Sequence, residues 1–294
     1  MCLSDSVFGC KMKIYTQTTT EMKSRIMLKN HTIISPLTLP WDWSADYQRQ
    51  TLARLAKQNR VILYDQRRAH FFFKKPTSSK APESKLPKNI LLHTPRYFVP
   101  LRRVPAIERL NQRLSYWLLL FQLRREQKIV WIFDPFFSYM TQKFPNNLVG
   151  TTTTLYDCVD YHAGLPSAPS NTARQENTLI RHSDFFCVNS RALHEQHAKL
   201  RAAAGKNTHL VPQGFDQESF ERGNFRAKKT TKRPIKPTKP LIGCVGGINN
   251  RIDFQLIEQL VRTNPQWNFG FWGPIQETAA GEKLQTLQKF PNFH

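Results

Sequence analysis

Apolar and polar positions along the chain fall into two alternating patterns. Thr32-Ile33-Ile34-Ser35-Pro36-Leu37 and Arg60-Val61-Ile62-Leu63-Tyr64-Asp65 are short, nearly unbroken apolar runs. Such runs predict strands buried on both faces. Between them, Ala45–Lys57 places Tyr47, Leu52, Leu55 and Ala56 on one side of a helix, with Ser44 as its candidate cap. Strand, helix and strand within about 35 residues make a βαβ unit. The pattern then repeats. Strands are predicted at Asn89–His93, Ile129–Asp134, Thr152–Val159, Phe185–Ser190 and His209–Pro212, and helices at Ile107–Arg125, Thr172–Ser183 and Leu193–Ala203. Continuous apolar strands alternating with helices predict an α/β fold with a parallel sheet covered on both faces.

Two stretches interrupt this rhythm. Residues 1–30 are polar and Thr-rich without periodicity, which reads as a loose tail. Residues 221–240 are basic and Pro-rich, the composition of an interdomain linker. After it, Leu241–Val245, Asp253–Arg262 and Trp267–Trp272 open a second strand–helix–strand series. The expected organisation is a tail (1–30), a first Rossmann-like domain (31–220), the linker (221–240) and a second Rossmann-like domain (241–294). A domain of that second kind usually needs about 100–150 residues, so it is expected to be incomplete.

Composition narrows the partners. The 294 residues carry 43 Lys plus Arg against 21 Asp plus Glu, a formal net charge of +22. That surplus favours an anionic partner such as a phosphorylated substrate, an anionic lipid or a nucleic acid, or else a solvated basic surface. The five cysteines form no C-x-x-C pair, which argues against a zinc knuckle and fits a reduced, cytoplasmic protein. No apolar run approaches the roughly 20 residues of a membrane span, and no signal peptide is apparent.

In open α/β sheets ligands bind beyond the carboxyl ends of the strands. Asp160 and His162 lie at or just past one predicted strand end, where they could orient a sugar hydroxyl or move a proton. Ser190 and Arg191 follow another, as a ligand contact or a helix cap. In Gly243-Cys244-Val245-Gly246-Gly247-Ile248-Asn249-Asn250-Arg251 a strand leads through two glycines towards a helix. Gly246 and Gly247 would let a phosphate approach the backbone, the helix start would offer N–H groups, and Arg251 a fixed cation. This is neither G-x-G-x-x-G nor a Walker loop. There is no D-x-D pair to hold a metal, and no metal site is expected. His194-Glu195-Gln196-His197 is not H-E-x-x-H and reads as an exposed helix face.

The order of these pieces resembles the GT-B glycosyltransferases, with two facing Rossmann-like domains. The likeness is strongest to the retaining, cell-surface polysaccharide branch of the teichuronic acid type. It is carried by Pro40-Trp41-Asp42, Gln48-Arg49, Tyr156-Asp157-Cys158-Val159-Asp160, Arg181-His182-Ser183-Asp184, Val188-Asn189-Ser190, Val211-Pro212-Gln213-Gly214-Phe215-Asp216 and Asn268–Pro274. Gln213 departs from the family's Asn, and the family's donor-binding glutamates would lie beyond residue 294.

The resemblance implies transfer of a sugar from a nucleotide diphosphate sugar, as co-substrate and without cofactor or metal, to a saccharide or lipid-linked acceptor. Asp160 and His162 would serve catalysis, Gly246, Gly247, Arg251 and Gly273 the donor diphosphate, and Trp41, Asp42 and Ser190 the acceptor. With the second domain incomplete, transfer by the chain as given is expected to be weak. A place at the inner face of a membrane follows from lipid-linked acceptors. Arg102, Arg103, Arg109, Arg113, Arg124 and Arg125 flank apolar Tyr116–Phe121 and would suit it, though Ile107, Leu110, Leu114, Leu118 and Phe121 equally suit a core face. A sugar-nucleotide epimerase, a basic nucleic-acid binder or a non-catalytic fragment remain as competing classes.

Overall fold

The computed structural model describes residues 28–41, 46–71, 86–101, 103–165, 168–214 and 239–294. The 1–27 portion of the tail, Asp42, Ser44, Arg102 and positions 215–238, which include most of the expected linker, lie outside the described residues. The chain divides into two units, Met1–Phe215 and Asp216–His294.

The elements of the first unit, in order, are β1 (Thr32–Pro36), α1 (Tyr47–Leu55), β2 (Arg60–Tyr64), β3 (His70–Phe71), β4 (Ile90–His93), β5 (Arg96–Tyr97), α2 (Pro105–Gln122), β6 (Lys128–Ile132), α3 (Asn146–Val149), β7 (Thr152–Cys158), α4 (Thr172–His182), β8 (Phe185–Val188), α5 (Arg191–Ala202) and β9 (His209–Leu210). Seven strands form one parallel sheet in the order β4-β2-β1-β6-β7-β8-β9, while β3 and β5 pair separately. The order reverses at β1 and β6, so the crevice of a doubly wound sheet falls at their carboxyl ends.

Side chains alternate across the strands, and both faces are apolar. Ile33, Val61, Leu63 and Ile90 pack with Leu52 and Ala56 on the α1 side. Ile34, Ile62, Val130, Ile132, Tyr156 and Phe186 pack with Tyr116, Leu119, Leu179, Ile180 and Leu193 of α2, α4 and α5 on the other. Burying each such aliphatic side chain contributes about 1.5–3 kcal/mol, which is what holds the helices down. Pro36 can end a central strand because β1 pairs with β6 only as far as Ile34↔Val130.

Several polar side chains satisfy helix ends. Asp46, not Ser44, caps α1 by accepting from Arg49 N–H at 2.8 Å. Lys128, only 2 % exposed, donates to the carbonyls of Leu123 and Glu126 at 3.0 and 2.8 Å just past α2. Arg201 is buried too, and its guanidinium donates to the carbonyls of Ile180, Ser183, Asp184 and Asn207, joining α5 to the end of α4.

The second unit contains β10 (Leu241–Val245), α6 (Phe254–Thr263), β11 (Asn268–Trp272) and α7 (Thr278–Leu287). β10 and β11 pair in parallel, and Phe269 bridges to Phe293. Ile248, Phe254, Val261, Phe269, Ala280, Leu284, Leu287 and Phe293 form its core.

Candidate functional site

In the first unit the carboxyl edge of the sheet presents the loop that follows β7. Asn189 Nδ2 donates to the Val159 carbonyl at 2.8 Å, and Cys158 Sγ donates to that of Asp160 at 3.3 Å. These bonds pin the stretch that carries Asp160 and His162. The Asp160 side chain is exposed and His162 is half-buried in a short 3-10 turn. His162 Nε2 is buried without a hydrogen-bond partner among the described residues.

The other residues singled out at this edge take different parts. Ser190 Oγ accepts from Leu193 N–H at 3.3 Å and caps α5, the alternative to a ligand contact. Trp41 is 8 % exposed and packed into the α1-side core, with the Arg49 guanidinium 5.5 Å from its ring. It forms a wall of the edge. Asp42 lies outside the described residues.

Sequence reasoning passed over Asp157. Trp131 Nε1 and Tyr47 Oη donate to its carboxylate at 3.1 and 3.3 Å, and it is 3 % exposed. Burial pushes this carboxyl above its ordinary pKa, partly offset by those two donors. Burial, with Asp157 beside it, raises the Tyr47 phenol to about 12. Tyr47 thus stays a neutral donor, its ring edge-on to Phe133 at 5.9 Å at the switch point. Its position in a predicted helix face hid the polar end of the side chain.

The motif Arg181-His182-Ser183-Asp184 works at the opposite edge. Asp184 accepts from Thr154 N–H, Thr154 Oγ1 and Lys143 Nζ. Although burial raises its pKa, these bonds and the Lys143 charge outweigh it and the net shift is downward. That aspartate joins β7 to β8 and holds the fold together. A wide polar cleft of about 680 Å³ also lies at this amino-terminal edge, lined by Asn30, His31, Lys57, Arg60, Arg125 and Glu126. It is remote from the edge where parallel sheets bind ligands, and Arg60 in it already pairs with Glu126 at 2.8 Å.

The His194–His197 expectation needs correction. His197 is 6 % exposed and turns inward, its ring 6.0 Å from Phe186 and 6.3 Å from Tyr161. Burial lowers its pKa, against the opposing charge of Glu176. It keeps company with Cys158, whose thiol burial raises to about 12.

In the second unit Gly246, Gly247, Gly273 and Arg251 are all exposed around the carboxyl ends of β10 and β11. Gly246 N–H donates to the Trp272 carbonyl at 2.9 Å. Gly273 has φ +155°, and a Cβ there would lie 1.7 Å from the Gly246 carbonyl oxygen, so only glycine permits this crossing. The result is a strip of bare backbone. Arg251 lies beyond it, with no carboxylate partner among the described residues. The expected free helix start is not there. α6 begins at Phe254, and Asp253 caps it by accepting from Leu256 N–H at 3.0 Å. Glu277 accepts from Asn250 N–H at 3.1 Å. An anion at this edge therefore depends on the glycine backbone and Arg251, with Glu277 as a competing acceptor.

No family model matches the chain. Over 167 residues it is 27 % identical to a Bacillus subtilis (strain 168) protein, TuaH, provisionally named a teichuronic acid biosynthesis glycosyltransferase. That match covers 52 % of this chain and 41 % of the relative, so the chain spans about two fifths of the relative's length. Among solved structures, an α,α-trehalose 6-phosphate synthase from Burkholderia multivorans superposes with a TM-score of 0.51 at 12 % identity, over 90 % of this chain and 66 % of that one. Anabaena HepE in complex with UDP gives 0.50 at 12 %, over 88 % and 65 %. At such identities the likeness shows the fold, and it is that of Rossmann-like units of the GT-B kind.

Proposed function

We propose that the protein carrying this chain is a glycosyltransferase that moves a sugar from a nucleotide diphosphate sugar to a saccharide or lipid-linked acceptor in cell-surface polysaccharide synthesis. The observation that carries the proposal is the bare Gly246–Gly273 edge with Arg251 beyond it, in a fold whose solved relatives include one bound to UDP. The likeness to TuaH supports the transferase class over an epimerase.

In this reading the diphosphate lies along the glycine backbone and Arg251 offsets the charge that grows as the glycosidic bond breaks. In the first unit exposed Asp160, with half-buried His162 beside it, would meet the acceptor hydroxyl or the transferred sugar. Tyr47 holds Asp157 in place and lines the same edge.

The reading extends to a membrane surface through α2. Its buried side is Asn111, Gln112, Ser115, Tyr116, Leu119 and Leu120. The alternative stripe therefore does not supply the core: Leu110 and Leu114 are 46 % and 36 % exposed, and Ile107, Leu118 and Phe121 are half-covered. Val104 and Leu101 continue it at 43 % and 68 %, and exposed Arg103, Arg109, Arg113, Arg124 and Arg125 surround it. An apolar stripe with flanking cations suits an anionic interface. No helix among the described residues is long and apolar enough to cross a membrane.

Calorimetric titration with nucleoside diphosphates tests the donor edge. Arg251→Ala is expected to weaken binding by about 1–3 kcal/mol, the worth of a hydrogen bond to a charged group. An unchanged dissociation constant removes Arg251 from the site.

A further inference from the structure

Beneath the Asp160–His162 loop lies a group of side chains for which the proposed reaction has no use. Cys158 ends β7, Glu176 lies on α4 and His197 on α5. All three are buried, at 0 %, 2 % and 6 % exposure. Cys158 Sγ, a carboxylate oxygen of Glu176 and a ring nitrogen of His197 all lie within 4.8 Å of one another.

As a plain core this cluster is poorly satisfied. Among the described residues the Glu176 carboxylate receives the Tyr156 hydroxyl at 3.2 Å and shares the Cys158 thiol proton, at 3.9 Å, with the Asp160 carbonyl. No ion pair of the described residues includes it. His197 Nε2 is buried and has no hydrogen-bond partner among the described residues. A buried carboxylate without a cation and a buried imidazole nitrogen without a partner each cost free energy. One cation among the three would answer both.

We infer that Cys158, Glu176 and His197 bind one divalent metal ion, with zinc as the best match. Thiolate sulfur, imidazole nitrogen and carboxylate oxygen together suit zinc and exclude magnesium and calcium, which prefer oxygen alone. Ligand atoms about 2.0–2.3 Å from a tetrahedral zinc stand roughly 3.3–3.8 Å apart. Cys158 Sγ and Glu176 Oε1 are 3.9 Å apart and all three ligand atoms lie within 4.8 Å, so the set would draw in by up to about 1 Å on binding. On binding, the metal–sulfur bond replaces the S–H bond and the thiol proton leaves to solvent. Glu176 joins as carboxylate and His197 as neutral imidazole through its lone pair. Two anionic ligands and a dication leave the buried site neutral, which keeps its desolvation cost low.

The ion would join β7, α4 and α5 directly below the Asp160–His162 loop. The Cys158 thiol now donates to the Asp160 carbonyl, and the ring of Tyr161 lies against His197. With three ligands from the protein, a tetrahedral ion would take a water as its fourth, and the site stands independently of the proposed glycosyl transfer.

The test uses untagged protein incubated with zinc and then dialysed. One zinc per chain is expected by plasma emission. Replacement with cobalt should give the near-ultraviolet charge-transfer band of a thiolate–cobalt bond. Cys158→Ser should lose that band and Cys187→Ser should keep it. Because core variants can fail to fold, the wild type also carries the test: a chelator should lower its melting midpoint, and added zinc but not magnesium should restore it. Folded wild type that takes up no zinc, a cobalt form without the thiolate band, or a folded Cys158→Ser variant that keeps one zinc and the band would overturn the inference.

Discussion

His93 closes β4 with its ring stacked on Tyr64 at 5.6 Å. Burial, with Arg96 nearby, lowers its pKa from 6.5 to about 4. On acidification the unfolded chain therefore takes up this proton before the folded one does. The stabilising contribution is complete above about pH 6.5 and is lost as pH falls towards 4. Denaturant midpoints of the wild type should drop between pH 7 and 4.5 more steeply than those of His93→Gln. Parallel curves would show that another group governs acid stability. At this scale legibility was uneven. Gly246 could be read as a point of close backbone approach, whereas Gly273 entered only through the resemblance. His197 could not, because its partners Cys158 and Glu176 lie on other elements far away in sequence. The one local signal was its spacing from Leu193 and Arg201, both also buried on α5.

Among the elements, β1, β2, β6, β7, β8, β10 and β11 were legible because unbroken apolar runs in a parallel sheet have few other solutions. The shifts are of one to three residues at the ends, where hydrogen bonding decides, as with Asp46 taking the cap of α1. α7 escaped notice. Its buried positions Ala280, Leu284 and Leu287 keep helical spacing, but Ala280 is a weak apolar signal, Gly281 sits beside it, and no side chain caps the start. For α2 the periodicity was plain but the facing was not. A helix whose buried side includes Asn111, Gln112 and Ser115 reverses the usual assignment. Asn111 is held there by bonds to Phe98 N–H, Val99 N–H and the Val99 carbonyl. The outward apolar stripe gives a direct expectation. Wild type should sediment with anionic vesicles at low salt, and replacing Leu110 and Leu114 with Gln, or Arg103, Arg124 and Arg125 with Gln, should release it while circular dichroism stays unchanged. Failure of the wild type to sediment would end the membrane reading.

For the whole molecule, the net charge of +22 favours anionic ligands and surfaces in general. The α/β class followed from strand–helix alternation; the candidate residues are distributed over both units, Asp160 and His162 in the first and Gly246, Gly273 and Arg251 in the second. The most direct measurement offers the protein a panel of nucleotide sugars, each with and without saccharide or lipid-linked acceptors. Labelled sugar and released nucleoside diphosphate are then followed together. Nucleoside diphosphate release that requires an acceptor, with label appearing on that acceptor, is the predicted result. An epimerised nucleotide sugar formed without acceptor would contradict the account.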